Sequence, residues 1–193
     1  METKILDGTG TGNRAKVNSQ GQINTFSVTR SELSSSLDKG KAWNLGTGYL
    51  TLTTANASDI LYIKNTGTLA LFIDLYVVLA RASTGGTGDL LIDILRNPTA
   101  GTVVSDATSA NAVNMNFGSN EQPTGLFYKG GEGKTLTGND AVIRSKTTAD
   151  NRWLAGILTE IPKGSSLGFR VTPPTGNTSI DIEVIIEIYE ELQ

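Results

Sequence analysis

The stretch LALFIDLYVVLAR, Leu69 to Arg81, is the longest apolar run in the chain, and its period decides the fold. Leu69, Leu71, Ile73, Leu75, Val77 and Leu79 fall at every second position, which places them on one face of a strand. The opposite face carries Ala70, Phe72, Asp74, Tyr76, Val78 and Ala80 and is also mostly apolar. A strand apolar on both faces is covered on both, by a second sheet, a chain segment or another subunit. Phe72, Tyr76 and Val78 are therefore candidate partner contacts. Just upstream, Ile60 to Lys64 is a second apolar run, and Asn65-Thr-Gly-Thr68 between the two reads as a short hairpin connection.

Outward from this pair, the chain continues in the same idiom. Lys41 to Leu45, Tyr49 to Thr53, Asp89 to Leu95, Leu126 to Lys129, Ala141 to Arg144 and Trp153 to Leu158 read as strands between Gly-, Asn- and Thr-rich turns. Shorter candidates lie at Thr102 to Ser105 and Val113 to Phe117. The last strand has the clearest period: Ile180, Ile182, Val184, Ile186 and Ile188 alternate with Asp181, Glu183, Ile185, Glu187 and Tyr189. Ser31 to Lys41 (SELSSSLDKGK) could close one helical turn, but its serine run argues for a loop. About ten to twelve strands are expected, with no helix of consequence. The fold class is all-β: a single antiparallel β-sandwich, most simply a jelly roll, over residues 31–193. Residues 1–30 are expected to form an extended N-terminal arm and a strand pair.

Composition narrows the chemistry. The 193 residues include 22 Gly but no Cys and no His. Missing Cys excludes a disulfide framework, a thiol nucleophile and thiolate metal sites. Missing His removes the commonest general base and the commonest transition-metal ligand, so no cofactor or metal is expected. The net charge of −3 is uneven. Residues 1–41 hold six Lys/Arg against four Asp/Glu, and residues 180–193 hold five acids and no base. That asymmetry is too weak for a nucleic-acid partner. No apolar stretch is long enough to span a membrane. METKILDGTGTG lacks a hydrophobic signal core, so synthesis in a host cytoplasm without Sec export is expected.

Four patterns invite a catalytic or binding reading. Gly130-Gly-Glu-Gly-Lys-Thr135 looks like a phosphate-binding loop, but Tyr128 stands where the pattern needs Gly, and Leu136-Thr-Gly-Asn-Asp140 cannot start the required helix. A hairpin tip is the better reading. Asp181, Glu183 and Glu187 share a strand face at a spacing that a glycosidase could use, about 7 Å between alternate residues. Nothing apolar is expected beside them to raise a pKa, and the acids read as a solvated face. Asp74 and Asp93 sit inside apolar strands and need partners, for which Arg81, Arg96, Arg144 and Arg170 are candidates; calcium lacks a supporting loop. Trp43, Tyr49, Tyr128 and Trp153 could line a sugar site or fill a core. The sequons at Asn56 and Asn177 read as chance matches in a chain made without export. An enzyme is not expected.

Ala15 to Thr29, which follows an acidic-Gly opening, resembles the V-x-S-x-G-x-L-x-T strand pair at the start of small structural proteins from tailed bacteriophages. The Asn65-Thr-Gly67 turn before a long apolar strand is similar too, as is the ending Ile161-Pro-Lys-Gly164, Pro173-Pro174 and Ile180 to Glu187. The resemblance implies a virion protein of the capsid decoration (cement) or head-fibre-base type, often trimeric, sitting on the major capsid protein at the capsid surface. It also implies an arm that bridges neighbouring subunits, with Ile5, Leu6, Arg14 and Val17 among its contacts. The alternative is a receptor- or carbohydrate-binding module of a tail or baseplate, with a host surface glycan as ligand.

Overall fold

The computed structural model describes residues 32–81, 84–148 and 152–190, all within a unit spanning Glu32–Gln193. The expected arm and strand pair at 1–30, and with them Ile5, Leu6, Arg14 and Val17, lie outside the described residues. The elements in chain order are α1 (Glu32–Asp38), β1 (Ala42–Gly46), β2 (Leu50–Leu52), β3 (Ser58–Asn65), β4 (Leu71–Ala80), β5 (Asp89–Arg96) and α2 (Thr102–Ser105). There follow β6 (Asn111–Asn114), β7 (Gly125–Lys129), β8 (Asp140–Thr148), β9 (Arg152–Ala155), β10 (Thr159–Ile161), β11 (Ser166–Thr172) and β12 (Ile180–Glu190).

All strand pairs are antiparallel, and they form two sheets packed as a sandwich. The seven-stranded sheet runs β10-β4-β12-β1-β6, with β9 beside β4 and β2 beside β12; the five-stranded sheet runs β7-β3-β11-β5-β8. The chain changes sheet at every step from β2 to β7 and again at β8 to β9, β10 to β11 and β11 to β12, the crossing pattern of a jelly roll rather than a meander. In β12 the alternation holds from end to end: Ile180, Ile182, Val184, Ile186 and Ile188 are all buried in the shared core. At about 2 kcal/mol for each buried aliphatic side chain, this one strand contributes on the order of 10 kcal/mol of hydrophobic stabilisation, an upper estimate.

The strand at Leu69 to Arg81 departs from its simple period. Leu71 and Ile73 point into the core, but so do Tyr76, Val78 and Ala80. The switch occurs at Asp74, which is extra in the pairing with β12: Leu75 sits opposite Glu187 and Ile73 opposite Ile188. An inserted residue bends the strand and reverses its faces beyond that point. The acid in the middle of the apolar run was the visible trace of the bulge. Phe72, Leu75, Val77 and Leu79 consequently share the outer face.

The expected hairpin between the two apolar runs is an arch between sheets. β3 pairs with β7 and β11, whereas β4 pairs with β12, β9 and β10. Asn65 makes the difference. Its buried side chain donates Nδ2–H to Leu69 O (2.8 Å) and Ile161 O (2.8 Å), and its Oδ1 accepts from Gly67 N (2.9 Å). The amide thus turns the chain across the sandwich instead of back along the same sheet.

Two short helices replace expected non-helical segments. The serine-rich 32–38 segment is helical because its end is specified: Gly40, at φ 70°, lets its own N–H reach Leu37 O (3.0 Å) and the Lys41 N–H reach Ser36 O (2.7 Å). That pair of bonds is a Schellman-type glycine cap, a 6→1 bond enclosing a 5→2 bond. Ser36, inside the helix, directs its hydroxyl to Glu190 O (3.0 Å). Thr102–Ser105, expected as a strand, is a single helical turn.

Candidate interaction surface

Of the candidate contacts on the central strand, Tyr76 and Val78 are sealed inside the chain's own core, so they are corrected from partner residues to core residues. The bulge at Asp74 is the reason. Phe72 remains on the outer face, half-buried and stacked on Tyr189 with ring centroids 5.3 Å apart. The Tyr76 hydroxyl has no hydrogen-bond partner among the described residues, and burial pushes its phenol up to about 12, with the Thr159 side chain offsetting part of the shift without reaching hydrogen-bond geometry.

The outer face of the seven-stranded sheet carries an apolar row across four strands. Leu154 of β9 lies opposite Val77 of β4, Val77 opposite Ile185 of β12, and Ile185 opposite Gly46 of β1. Leu154 is exposed, Val77 and Ile185 are half-buried, and a side chain at Gly46 would meet open space. Glu183 borders it on one side, opposite Leu79 in a row that continues to Arg152 of β9, and Glu187 borders it on the other, opposite Leu75. Glu187 is held above the usual carboxylate range, first by burial and second by the charge of Asp74 at the bulge. An apolar neighbourhood therefore does exist beside one of the terminal acids, which the bare alternation of the last strand had concealed. Asp181 instead accepts a hydrogen bond from Thr51 Oγ1 (2.6 Å) at the sheet's end.

The five-stranded sheet is organised differently on its outer side. A charged ladder crosses four strands in register: Asp59 of β3, Arg170 of β11, Asp93 of β5 and Arg144 of β8. Arg170 donates Nε–H to Asp59 Oδ1 (2.8 Å) and an Nη2–H to Oδ2 (2.9 Å). Arg144 makes the same fork to Asp93 at 2.7 and 3.2 Å. Both arginines are held above their usual range chiefly by these hydrogen bonds. Asp93 thus finds its partner in Arg144, one of the four expected arginines. Asp59, which was not among the expected buried acids, is the more deeply buried of the two; an acid at the edge of an apolar run, Ser58-Asp-Ile60, was the available sign.

The glycine-rich segment at 130–135 is a cover for this sheet. β7 and β8, which it joins, are opposite edges of the sheet and do not pair, so the hairpin-tip reading is corrected to a loop that crosses the outer face. Its would-be phosphate ligands are engaged structurally. Gly133 N donates to Ser58 Oγ (3.0 Å), Thr135 N to Thr102 Oγ1 (2.8 Å), and Lys134 pairs with Asp106. Leu136 N–H donates to Asp59 Oδ2, and the Leu136 side chain joins Tyr62, Leu95 and Val103 in a second small core. Gly130 is required there: a Cβ would stand 1.9 Å from Asp59 O.

The four aromatic residues are dispersed. Trp43 is fully buried and donates to Glu121 O (2.9 Å), Tyr128 stacks on Tyr62, and Trp153 meets Phe169 edge-on while donating to Ser145 Oγ (2.8 Å). Tyr49 is exposed, beneath the Arg81 guanidinium at 4.2 Å. A polar cleft of about 360 Å³ opens among Thr47, Ser109, Asn111, Lys129 and Glu183, and its lining includes no aromatic ring. Among the described residues no group of three His, Cys, Asp or Glu is placed to hold a metal ion, and no helix is long and apolar enough to cross a membrane.

No protein-family model matches the chain, and no curated protein matches it. Among solved structures it is similar to the infectious bursal disease virus Gx strain, at 11% identity and a TM-score of 0.31, over 79% of this chain and 37% of that one. It is also similar to the VP2 subviral particle of infectious bursal disease virus, at 10% identity and a TM-score of 0.17, over 79% of this chain and 41% of that one. The chain thus spans well under half the length of these viral chains. The fold assignment rests on the strand pairing set out above.

Proposed function

We propose that this chain is a structural protein of a virus particle: a capsid decoration or cement protein of a tailed phage that binds the outer surface of the major capsid protein shell and stabilises it. In this reading it is a homo-oligomer, a trimer by analogy with the proteins it resembles in sequence, and it has no enzymatic activity. The observation that carries a binding role is the apolar row Leu154–Val77–Ile185 on the outer face of the seven-stranded sheet. Antiparallel sheets that meet water on one side alternate apolar-in with polar-out, and this row breaks the alternation at three adjoining strands. Its borders, Glu183 and Glu187 with Arg152 of β9, are mainly acidic and would favour a basic partner surface. The virion assignment draws on the phage-like sequence features at Ala15 to Thr29 and at the chain's end.

The mechanism is passive. Repeated contacts around a shell each bury on the order of 1,600 Å², and together they oppose expansion of the shell under genome pressure. The test is co-sedimentation of the purified protein with expanded heads of the phage that encodes it. The wild type should pellet with heads, and Val77→Asp with Ile185→Asp should stay in the supernatant while keeping its circular dichroism. Glycan binding by a protein that ignores heads would favour the tail or baseplate module instead. Polysaccharide hydrolysis abolished by Glu183→Gln would overturn the non-enzymatic part.

A further inference from the structure

Phe117 is fully exposed, and the loop that presents it is tied down on both sides. Before it, Asn114 Nδ2–H donates to Gly40 O (2.8 Å) and Glu121 O (3.0 Å), and Met115 N–H donates to Ala42 O (2.9 Å). Asn116 Nδ2–H reaches Leu37 O (3.0 Å), while its Oδ1 accepts from Gly118 N (3.0 Å). A phenyl ring on a slack loop can fold back onto the surface; here the backbone holds it in water. An aromatic ring presented with little conformational freedom left to lose is the form of an interface anchor.

On the far side of the molecule the chain has an unfilled apolar cleft of about 270 Å³, between Ile94, Leu95, Val142, Ile143, Ile161 and Leu167. A cavity of about 150 Å³ lined by aliphatic groups is enough to hold a benzene ring, so a phenyl group fits with room for its Cβ. Exposed Val142, Ile157 and Leu158 extend the apolar surface around the mouth or next to it, and exposed Val113 does the same beside the Phe117 loop. The two features lie on opposite edges of one sheet. Phe117 follows β6, the strand at one edge, and the cleft takes Thr159, Glu160 and Ile161 of β10 at the other. They also lie at one height. The row Asn114–Trp43–Ile188–Ile73–Thr159 crosses the whole sheet, and the next row, Ala42–Tyr189–Phe72–Glu160, runs from the strand beside the Phe117 loop to the cleft wall.

We infer that copies of this chain join head to tail, with Phe117 of one copy seated in the Val142 cleft of the next. A knob and a hole on opposite edges cannot both be satisfied in a two-fold pair, so the contact is heterologous and closes a ring or propagates. The inference deepens the self-association proposed above and rests on that part of the reading, not on the capsid.

Sedimentation equilibrium of the full chain tests it, with Phe117→Ser removing the knob and Val142→Glu charging the hole. Both positions are exposed, so both variants should fold. Each variant alone should dissociate with a constant raised at least about thirtyfold. Mixed one to one, they should form a heterodimer, because one copy keeps its knob and the other its hole, and one good contact remains. A monomeric wild type at about 100 μM, where an interface of standard size is populated, overturns both self-association and this contact. An oligomer whose mass neither variant changes overturns this contact and leaves self-association standing. A monomer whose Phe117→Ser variant fails to pellet with heads assigns the knob to another protein and overturns the head-to-tail contact.

Discussion

On the five-stranded sheet the chain covers the outer side of β3 itself; on the seven-stranded sheet it leaves an apolar row bordered mainly by acids. β3, buried on both sides, has the sandwich core on one and α2 with the 130–139 loop on the other. The outer side chains of β4 are Phe72, Leu75, Val77 and Leu79, all half-buried, and the exposed Leu154 adjoins Val77. The same sequence signal, an apolar run without alternation, therefore has two structural outcomes. Where charges are interleaved in complementary order, as in Asp59–Arg170–Asp93–Arg144, the chain supplies their partners. Where acids predominate, as at Asp74, Glu183 and Glu187 with Arg152 of β9 in the row of Leu79 and Glu183, the apolar row beside them stays uncovered by the described residues. Apolar surface bordered mainly by acids fits a face meant for another molecule better than one meant for the chain's own loops.

The largest effect should come from breaking the self-covered side. Arg170→Ala strands the Asp59 carboxylate, which is 1% exposed, with the Leu136 N–H as its remaining partner. Urea unfolding should show a loss of about 3 kcal/mol or more, and adding Asp59→Asn should recover part of it, because an uncharged amide costs less to bury. Equal stabilities for Arg170→Ala and the double variant would show that the buried charge is not what matters. Gly130→Ala, which drives a Cβ into Asp59 O, should cost about 2 kcal/mol by lifting the loop. It should also loosen the cover selectively, so that amide exchange in 130–139 rises before exchange in β12 does.

In the shared core, Tyr76→Phe should be neutral or stabilising by about 1 kcal/mol, since the hydroxyl it removes is buried without a partner among the described residues. A loss of stability in thermal unfolding would mean that the hydroxyl finds a bonding partner in solution.

The sequence showed most clearly what depends on a short period and least clearly what depends on a single side chain. β12 was readable residue by residue because nothing interrupts its alternation. β4 was readable as a strand, but its faces were not, since one inserted residue at Asp74 reverses everything after it. The arch at Asn65 looked like a hairpin because a Thr-Gly turn serves either purpose, and the choice lies in where one buried amide sends its hydrogen bonds. The 130–139 loop followed the same rule: its edges were visible, but that they belong to opposite sides of a sheet is a matter of pairing across the chain. The ladder's charges were half visible, with Asp93 conspicuous inside its strand and Asp59 hidden at the start of one. Phe117 passed for a strand residue, and only the bonds of Asn114 and Asn116 reveal it as a loop tip.

The smallest effect, and the one that separates the two outer faces most cleanly, is a pH dependence at Glu187. Its carboxyl is held above the ordinary glutamate value by burial and then by Asp74, so the folded state binds its proton more tightly than the unfolded state does. Below about pH 3 both states are protonated and the residue contributes nothing to pH dependence. As pH rises, the unfolded chain releases its proton first, and stability falls until the folded carboxyl also ionises; above that point the penalty is constant. Glu187→Gln removes the titration. The variant should match the wild type in acid and exceed it near neutral pH, and Asp74→Asn should narrow that difference by removing the second cause. Urea midpoints measured across this range decide the matter: a gap between Glu187→Gln and wild type that does not change with pH would mean the outer face of the seven-stranded sheet is as fully compensated as the other. A ligand or partner that covers the apolar row should enlarge the gap if it buries Glu187 unpaired, and reverse it if it brings a cation, which makes the same variant a reporter of what the row meets.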